Sequence, residues 1–217
     1  MSTTISSAPE ILELSDLCIR LACLDDITPI LTLHGEAFAD KFGGAFGADN
    51  AARGIAALEA SWRRQGSLAL RGMFVAEFQG AIIGTITLRT WEMAYDDSGA
   101  TELAFHQVLG LWGAVRSIFA LSLLDHRIGR SEGFITDVAV LCPFRRHGIA
   151  SALLKRAEEE ARLRRKEYLG LYVSSANTGA LALYHRQGFL ERHVRRSWLT
   201  RLIFGHREWI YMRKQLV

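Results

Sequence analysis

Apolar and polar positions along the chain fall into blocks of period two and blocks of helical period, separated by Gly-rich or polar turns. A short strand, Cys18 to Leu21, comes first. Asp25 and Asp26, suited to a helix N-terminus, then precede Ile27, Ile30, Leu31, Leu33 and Phe38 at helical spacing. A Gly-rich patch at Phe42 to Gly47 leads to a second helical run from about Ala51 to Arg64, and Gly66 and Gly72 mark the return to strand. Two helices therefore separate the first two strands. Met73 to Phe78 and Ala81 to Thr90 are strand-like runs joined by Gln79 and Gly80, which predicts a β-hairpin and an antiparallel start to the sheet.

Polar residues from Tyr95 to Thr101 form a loop. From Leu103 to Leu124 the apolar positions Val108, Leu111, Trp112, Val115, Phe119 and Leu123 recur at helical spacing. The length approaches a membrane span, but His106, Gln107 and Arg116 interrupt it, so a helix buried against its own domain is expected and no membrane span. Its apolar face is too large to leave in water and must cover core, cleft or a partner subunit, which leaves room for a homodimer. Gly129, Ser131 and Gly133 precede a strand, Phe134 to Val140. A helix from Gly148 to about Lys166 follows, with Ile149, Leu153, Leu154, Ala157 and Ala161 on one face and the pairs Glu158 with Arg162 and Glu160 with Arg164 on the other. Leu169 to Val173 is a short apolar strand and Asn177 to Gln187 a helix stopped by Gly188. Phe189 to about Trp198 and Glu208 to Lys214 close the chain as a strand pair. Residues 1–16 read as an N-terminal arm and 17–217 as one α/β domain, with no internal repeat.

Composition narrows the function classes. A chain of 217 residues with 49% hydrophobic content can bury one continuous core. With 26 Lys plus Arg against 23 Asp plus Glu, no field of the kind that binds nucleic acid is expected. Cys18, Cys23 and Cys142 lack metal-ligand spacing, so no metal is expected. The N-terminus lacks the charged-then-apolar order of a signal peptide, and a reducing, cytoplasmic setting is the expectation.

Between the strand ending at Val140 and the next helix lies Pro143-Phe144-Arg145-Arg146-His147-Gly148-Ile149-Ala150. Backbone N–H groups at a helix N-terminus have no intrahelical partner and sit at the positive end of the macrodipole, so they can cradle a pyrophosphate. Gly148 and Ala150 keep side chains out of the way, Arg145 and Arg146 add charge, and Ser151 offers a hydroxyl one turn in. Read by itself, the same turn also suits a solvated basic cap on an ordinary helix.

The run from Ile135 to Ala150 resembles the acetyl-coenzyme A motif of the GNAT superfamily, in which Arg or Gln is followed after two residues by Gly and, one further on, by Gly or Ala. Arg145, Gly148 and Ala150 match it. A second segment, Asn177 to Phe189, is similar to the family's second cofactor segment at Asn177, Ala180, Leu183, Tyr184, Gly188 and Phe189. The resemblance implies a mixed central sheet of six to seven strands flanked by helices, with parallel strands 4 and 5 splayed around the pantetheine arm. It also implies acetyl-CoA as co-substrate, bound by Val138, Ala139 and Val140 of the splayed strand, by Arg145, Arg146, His147, Gly148, Ile149, Ala150 and Ser151 of the turn, and by Asn177 and Tyr184. The helical insertion between strands 3 and 4, about residues 91–130, departs from the family's short connection and bears on the acceptor side.

Acetyl transfer to an amine needs a neutral nucleophile, a donor for the developing oxyanion and an acid for the leaving thiolate. Tyr184 matches the tyrosine that relatives direct at the cofactor sulfur as the acid, although a buried aromatic is ordinarily core. The N–H of Val140 or a neighbour is the candidate oxyanion donor. Asn177 is a helix cap, a cofactor contact, or both. For the base, Glu132 is the first candidate, by likeness to ribosomal-protein alanine acetyltransferases, and Asp137, acting through a water, the second. His106 and His126 flank the inserted helix and are further titratable groups. The expected function is N-acetylation of a primary amine on a small molecule or a protein N-terminus, by direct attack in a ternary complex. The alternative is a noncatalytic CoA-binding sensor or interaction module on the same scaffold.

Overall fold

The computed structural model describes residues 16–39, 43, 46, 50–93, 126–196 and 208–216. In chain order these form β1 (Leu17–Leu21), α1 (Ile27–Ala37), α2 (Ala51–Gln65), β2 (Met73–Phe78), β3 (Ala81–Thr90), β4 (Glu132–Val140), α3 (Ile149–Leu163), β5 (Tyr168–Ser174), α4 (Thr178–Arg186), β6 (Leu190–Arg196) and β7 (Glu208–Gln215). The strands make one seven-stranded mixed sheet in the order β1-β2-β3-β4-β5-β7-β6. The apolar helix expected between Leu103 and Leu124, with His106, lies outside the described residues. So do nearly all of the N-terminal arm, most of the Gly-rich patch at Phe42 to Gly47 and the strand end expected at Trp198.

Local chemistry explains the joints. Gln79 and Gly80 have φ of 49° and 78°, the positive pair that a two-residue hairpin turn demands, and they set β2 against β3 from Phe78↔Ala81 onward. The acidic pair before α1 does something other than cap it. Asp26 accepts from the Cys23 N–H at 2.8 Å and from Arg20 at 2.6 and 2.9 Å, and Arg20 also reaches Glu77 at 2.7 Å. The Arg20 guanidinium holds the Asp26 carboxyl below its usual range, so the group ties β1 and β2 to the start of the helix.

Each face of the sheet has its own core. On one, α3 buries Ile149, Leu153, Leu154, Ala157 and Ala161, the stripe its sequence predicts, against Ile135, Leu171, Val173 and Met212. The Glu158–Arg162 and Glu160–Arg164 pairs form at 2.9 Å on its outer side and add only about 0.3–0.5 kcal/mol each. On the other face α1 packs Ile27, Ile30 and Leu31 against Met73 and Val75.

The long β3 to β4 connection is clamped at its base. Lys166, buried just past the end of α3, donates to Glu92 Oε1 at 2.6 Å just after β3 and to the Arg130 carbonyl at 2.8 Å just before β4. One cation therefore holds the two ends of the excursion together.

Candidate active site

The opening in the sheet lies between β4 and β5. They pair in parallel from Glu132↔Tyr168 to Ile135↔Leu171, and there the pairing stops, although β4 continues to Val140 and β5 to Ser174. Each strand stays attached to its outer neighbour past that point, β4 to β3 as far as Val140↔Gly84 and β5 to β7 as far as Ser174↔Trp209. The strands are thus held apart by the ladders on either side, which leaves backbone groups along the inner edges without a ladder partner. The Leu141 N–H donates to the Ile83 carbonyl at 2.9 Å, toward β3. Successive N–H groups of a strand point to opposite edges, so the Val140 N–H faces the opening and the Ala139 N–H faces β3.

A bulge shapes β4 within this opening. Thr85 faces Ala139 and Thr87 faces Thr136, so Asp137 and Val138 together oppose Ile86. Asp137 has φ of 54°, its carbonyl accepts from the Thr85 hydroxyl at 3.0 Å, and its carboxylate accepts from Thr136 Oγ1 at 2.9 Å. Thr85 Oγ1 in turn lies 2.9 Å from His34 Nε2. His34 and Thr85 are both buried, so a polar chain from α1 fixes the bulge.

Beyond Val140 the chain turns through Cys142–Phe144, with Phe144 buried, and reaches α3 at Gly148, whose φ of 82° is left-handed. A side chain there would be strained, and glycine leaves the first turn of α3 open to an anion. Arg145 Nε donates to the Val140 carbonyl at 3.0 Å, which ties the turn to the end of the splayed strand. Arg146 also has positive φ, 70°, and both arginines are exposed. His147, Ala150 and Ser151 are half-buried around them, while Ile149 is drawn into the core. The turn is therefore joined directly to the end of β4.

The second segment arrives through α4. Asn177 caps it, its Oδ1 accepting from the Ala180 N–H at 3.0 Å. Tyr184 is 7% exposed, packs edge-on to Phe189 with ring centroids 5.9 Å apart, and belongs to the core on the α3 face. Burial pushes its phenol up to about 12, so it stays protonated at neutral pH and able to donate.

Glu132 lies elsewhere, at the paired end of β4 and on the opposite face. It is 2% exposed, with His126 Nε2 at 3.0 Å from each carboxylate oxygen, the Tyr211 hydroxyl donating to Oε1 at 2.6 Å and the Gly129 N–H donating to Oε2 at 3.1 Å. Burial alone would push this carboxyl up. The hydrogen bonds from His126, Tyr211 and Gly129 outweigh it and hold the group below the usual carboxylate range. Glycine at 170 makes room for this contact, since a Cβ there would strike both Glu132 Oε1 and the Tyr211 hydroxyl. Around it gather His126, Phe134, Tyr172, Tyr211 and His193, with His126 stacked on Phe134 at 4.3 Å and His193 on Tyr211 at 4.8 Å. Apart from Glu132 and His126, sequence reading missed this group. Its one available signal was the alternation in β5, which sends Gly170 and Tyr172 to the face opposite Leu169, Leu171 and Val173.

The profile of the acetyltransferase (GNAT) family matches residues 37–189, well over half the chain and spanning both the opening and the turn. The chain belongs to the GNAT acetyltransferase family. It is 38% identical over 70 residues to an uncharacterized N-acetyltransferase of Methanocaldococcus jannaschii, covering 32% of this chain and 31% of that one. It is 36% identical over 88 residues to the N-alpha-acetyltransferase MAK3 of Arabidopsis thaliana, covering 41% and 43%. The chain thus spans about a third to two-fifths of the length of these relatives. A solved structure described as an acetyltransferase shares the fold with a TM-score of 0.65, at 24% identity, over 92% of this chain and 100% of that chain. Residues 37–189 thus lie in a domain of a family that uses acetyl-CoA, and the seven-stranded sheet with parallel β4 and β5 is the GNAT fold. Among the described residues no helix is long and apolar enough to cross a membrane.

Proposed function

We propose that this GNAT protein moves the acetyl group of acetyl-CoA to a primary amine, on a small molecule or a protein N-terminus, by direct attack within a ternary complex. The observation that carries this reading is the loss of β4–β5 pairing after Ile135↔Leu171, with the Val140 N–H directed into the gap. A thioester carbonyl laid along β4 would find that N–H as a donor for its developing oxyanion. The pyrophosphate would rest on the N–H groups and side chains from Arg145 to Ser151, the pantetheine arm along Val138 to Val140, and Asn177 would flank it at the start of α4. Tyr184 is the acid for the leaving thiolate, a role that rests on its place in the second motif and on the proton it carries at neutral pH.

Tyr184 belongs to the α3 face of the sheet and Glu132 to the α1 face, so cofactor and acceptor would enter from opposite sides. That arrangement suits a ternary complex without an acetyl-enzyme. Glu132 and Asp137 remain the carboxylates on the acceptor side. Glu132 is surrounded by donors and held ionised, which fits orienting its neighbours better than accepting a proton. The likeness to an N-alpha-acetyltransferase makes free N-terminal peptides the first acceptors to try.

The test is a thiol-release assay with acetyl-CoA against polyamines, amino acids, aminoglycosides and peptides with free N-termini. Turnover with intersecting initial-rate lines supports the proposal, and parallel lines would replace direct attack by an acetyl-enzyme. Tight CoA binding without turnover on any acceptor would favour the sensor reading.

A further inference from the structure

A row of three residues crosses the sheet from the opening to its outer edge. In the β5–β7 ladder Tyr172 faces Tyr211, and in the β7–β6 ladder Tyr211 faces His193. The rings touch in sequence, Tyr172 to Tyr211 at 5.2 Å and Tyr211 to His193 at 4.8 Å between centroids. The Tyr172 hydroxyl also lies 3.3 Å from His193 Nε2, so the ends of the row are joined directly.

The inner end of the row has a definite place. The last β4–β5 pair is Ile135↔Leu171, so Tyr172 is the first β5 residue past it, and its partner, had the ladder continued, would be Thr136 beside the Asp137 bulge. Leu171 and Val173 belong to the core under α3, so Tyr172 points to the other face, the acceptor side in the reading above. The outer end, His193, is exposed on edge strand β6.

We propose that Tyr172 and His193 are the proton relay for the acceptor amine, with Tyr172 meeting the amine and His193 passing the proton to solvent. This rests on the amine-transfer reading of the same site. As the amine nitrogen bonds to the thioester carbon, it gives a proton to the Tyr172 oxygen while the Tyr172 O–H proton moves to His193 Nε2. The C–S bond breaks, and the sulfur leaves with the Tyr184 proton. His193 then releases its proton to water and Tyr184 regains one, so the cycle is balanced.

The surroundings favour a relay over a phenolate. Burial and the nearby Glu132 push the Tyr172 phenol up, against an opposing effect of Arg195, so Tyr172 can accept a proton only as it gives its own away. Tyr211 cannot replace it, because its hydroxyl is committed to Glu132. The titratable and charged groups around the row are His126 and Glu132 at the head of β4, Arg195 on β6, and Tyr168 with Arg213 on β5 and β7. Glu191 is turned away to His185.

The experiment compares the whole protein with Tyr172→Phe and His193→Gln, using acetyl-CoA and a short synthetic peptide with a free N-terminal alanine. Tyr172→Phe keeps the ring contacts and His193 is exposed, so both variants should fold, which circular dichroism and calorimetric acetyl-CoA binding verify. The expected result is a fall in kcat of about a hundredfold or more for Tyr172→Phe and at least about tenfold for His193→Gln, with acetyl-CoA affinity unchanged. The acid limb of the kcat/KM profile should flatten or shift in His193→Gln, which a packing role would not produce. A folded His193→Gln with the parent's kcat and pH profile would overturn the relay. A parent that binds acetyl-CoA but acetylates neither this peptide nor the amine panel would overturn the amine-transfer reading, and the relay with it.

Discussion

The Tyr211 hydroxyl donates to Glu132 Oε1 across 2.6 Å, and glycine at 170 is what allows β5 to pass beneath the contact. The bond joins β7 to the head of β4 at the point where parallel pairing begins. Removing the hydroxyl with Tyr211→Phe should cost about 1–3 kcal/mol in urea unfolding at neutral pH, the range for a hydrogen bond to a buried charge. Because the Glu132 carboxyl is held below its usual range, its contribution is complete above the unfolded value near 4.3 and is lost as pH falls through the lower folded value. The stability gap between the parent and Glu132→Gln should therefore narrow on acidification, and a gap independent of pH would argue against an ionised Glu132.

The clamp at Lys166 should show a second acid-sensitive contribution. The Lys166 ammonium holds Glu92 down to about 2. Its stabilisation is therefore full above about 4.3 and disappears as pH drops toward 2. Glu92 is half exposed, at 52%, so the effect should be below about 1 kcal/mol. Lys166→Met should cost more than Glu92→Gln, because it also leaves the Arg130 carbonyl without its donor. Thermal unfolding of both variants between pH 3 and 7 measures the difference.

At the turn proposed to hold the pyrophosphate, side-chain bulk and charge can be separated. Gly148 has φ of 82°, which asparagine tolerates far better than most residues. Gly148→Asn should lower acetyl-CoA affinity by placing a neutral side chain at the cradle, and Gly148→Glu should lower it further, by more than about tenfold, by setting a carboxylate against the pyrophosphate. Affinities equal to the parent's in both folded variants in calorimetry would remove this turn from the cofactor site.

Tyr184 offers a cleaner division between binding and chemistry. Tyr184→Phe retains the packing on Phe189 and deletes the hydroxyl proposed as the proton donor. Turnover should fall by about a hundredfold with acetyl-CoA affinity nearly unchanged. If a thioester with a more acidic thiol leaving group restores the rate, the lost function is protonation of sulfur.

The described elements of this protein were legible in its sequence because each is decided by local chemistry. Period and turn residues placed the β2–β3 hairpin at Gln79 and Gly80 and the buried stripe of α3 from Ile149 to Ala161. Two spaced motifs located the turn at Arg145 to Ala150 and the Asn177 cap. The use of Asp26 escaped that reading, because its partner Arg20 comes from a separate strand. Which residues meet across strands was equally hidden, since a ladder's register depends on both strands and a single bulge changes it. Only the tertiary structure brought Glu132, Tyr172, Tyr211 and His193 to one face, and only it ended the β4–β5 ladder at Ile135 and Leu171. The physical reason is that a parallel strand is held by its neighbours, and here β3 and β7 pull β4 and β5 apart at a position that neither strand's own sequence marks.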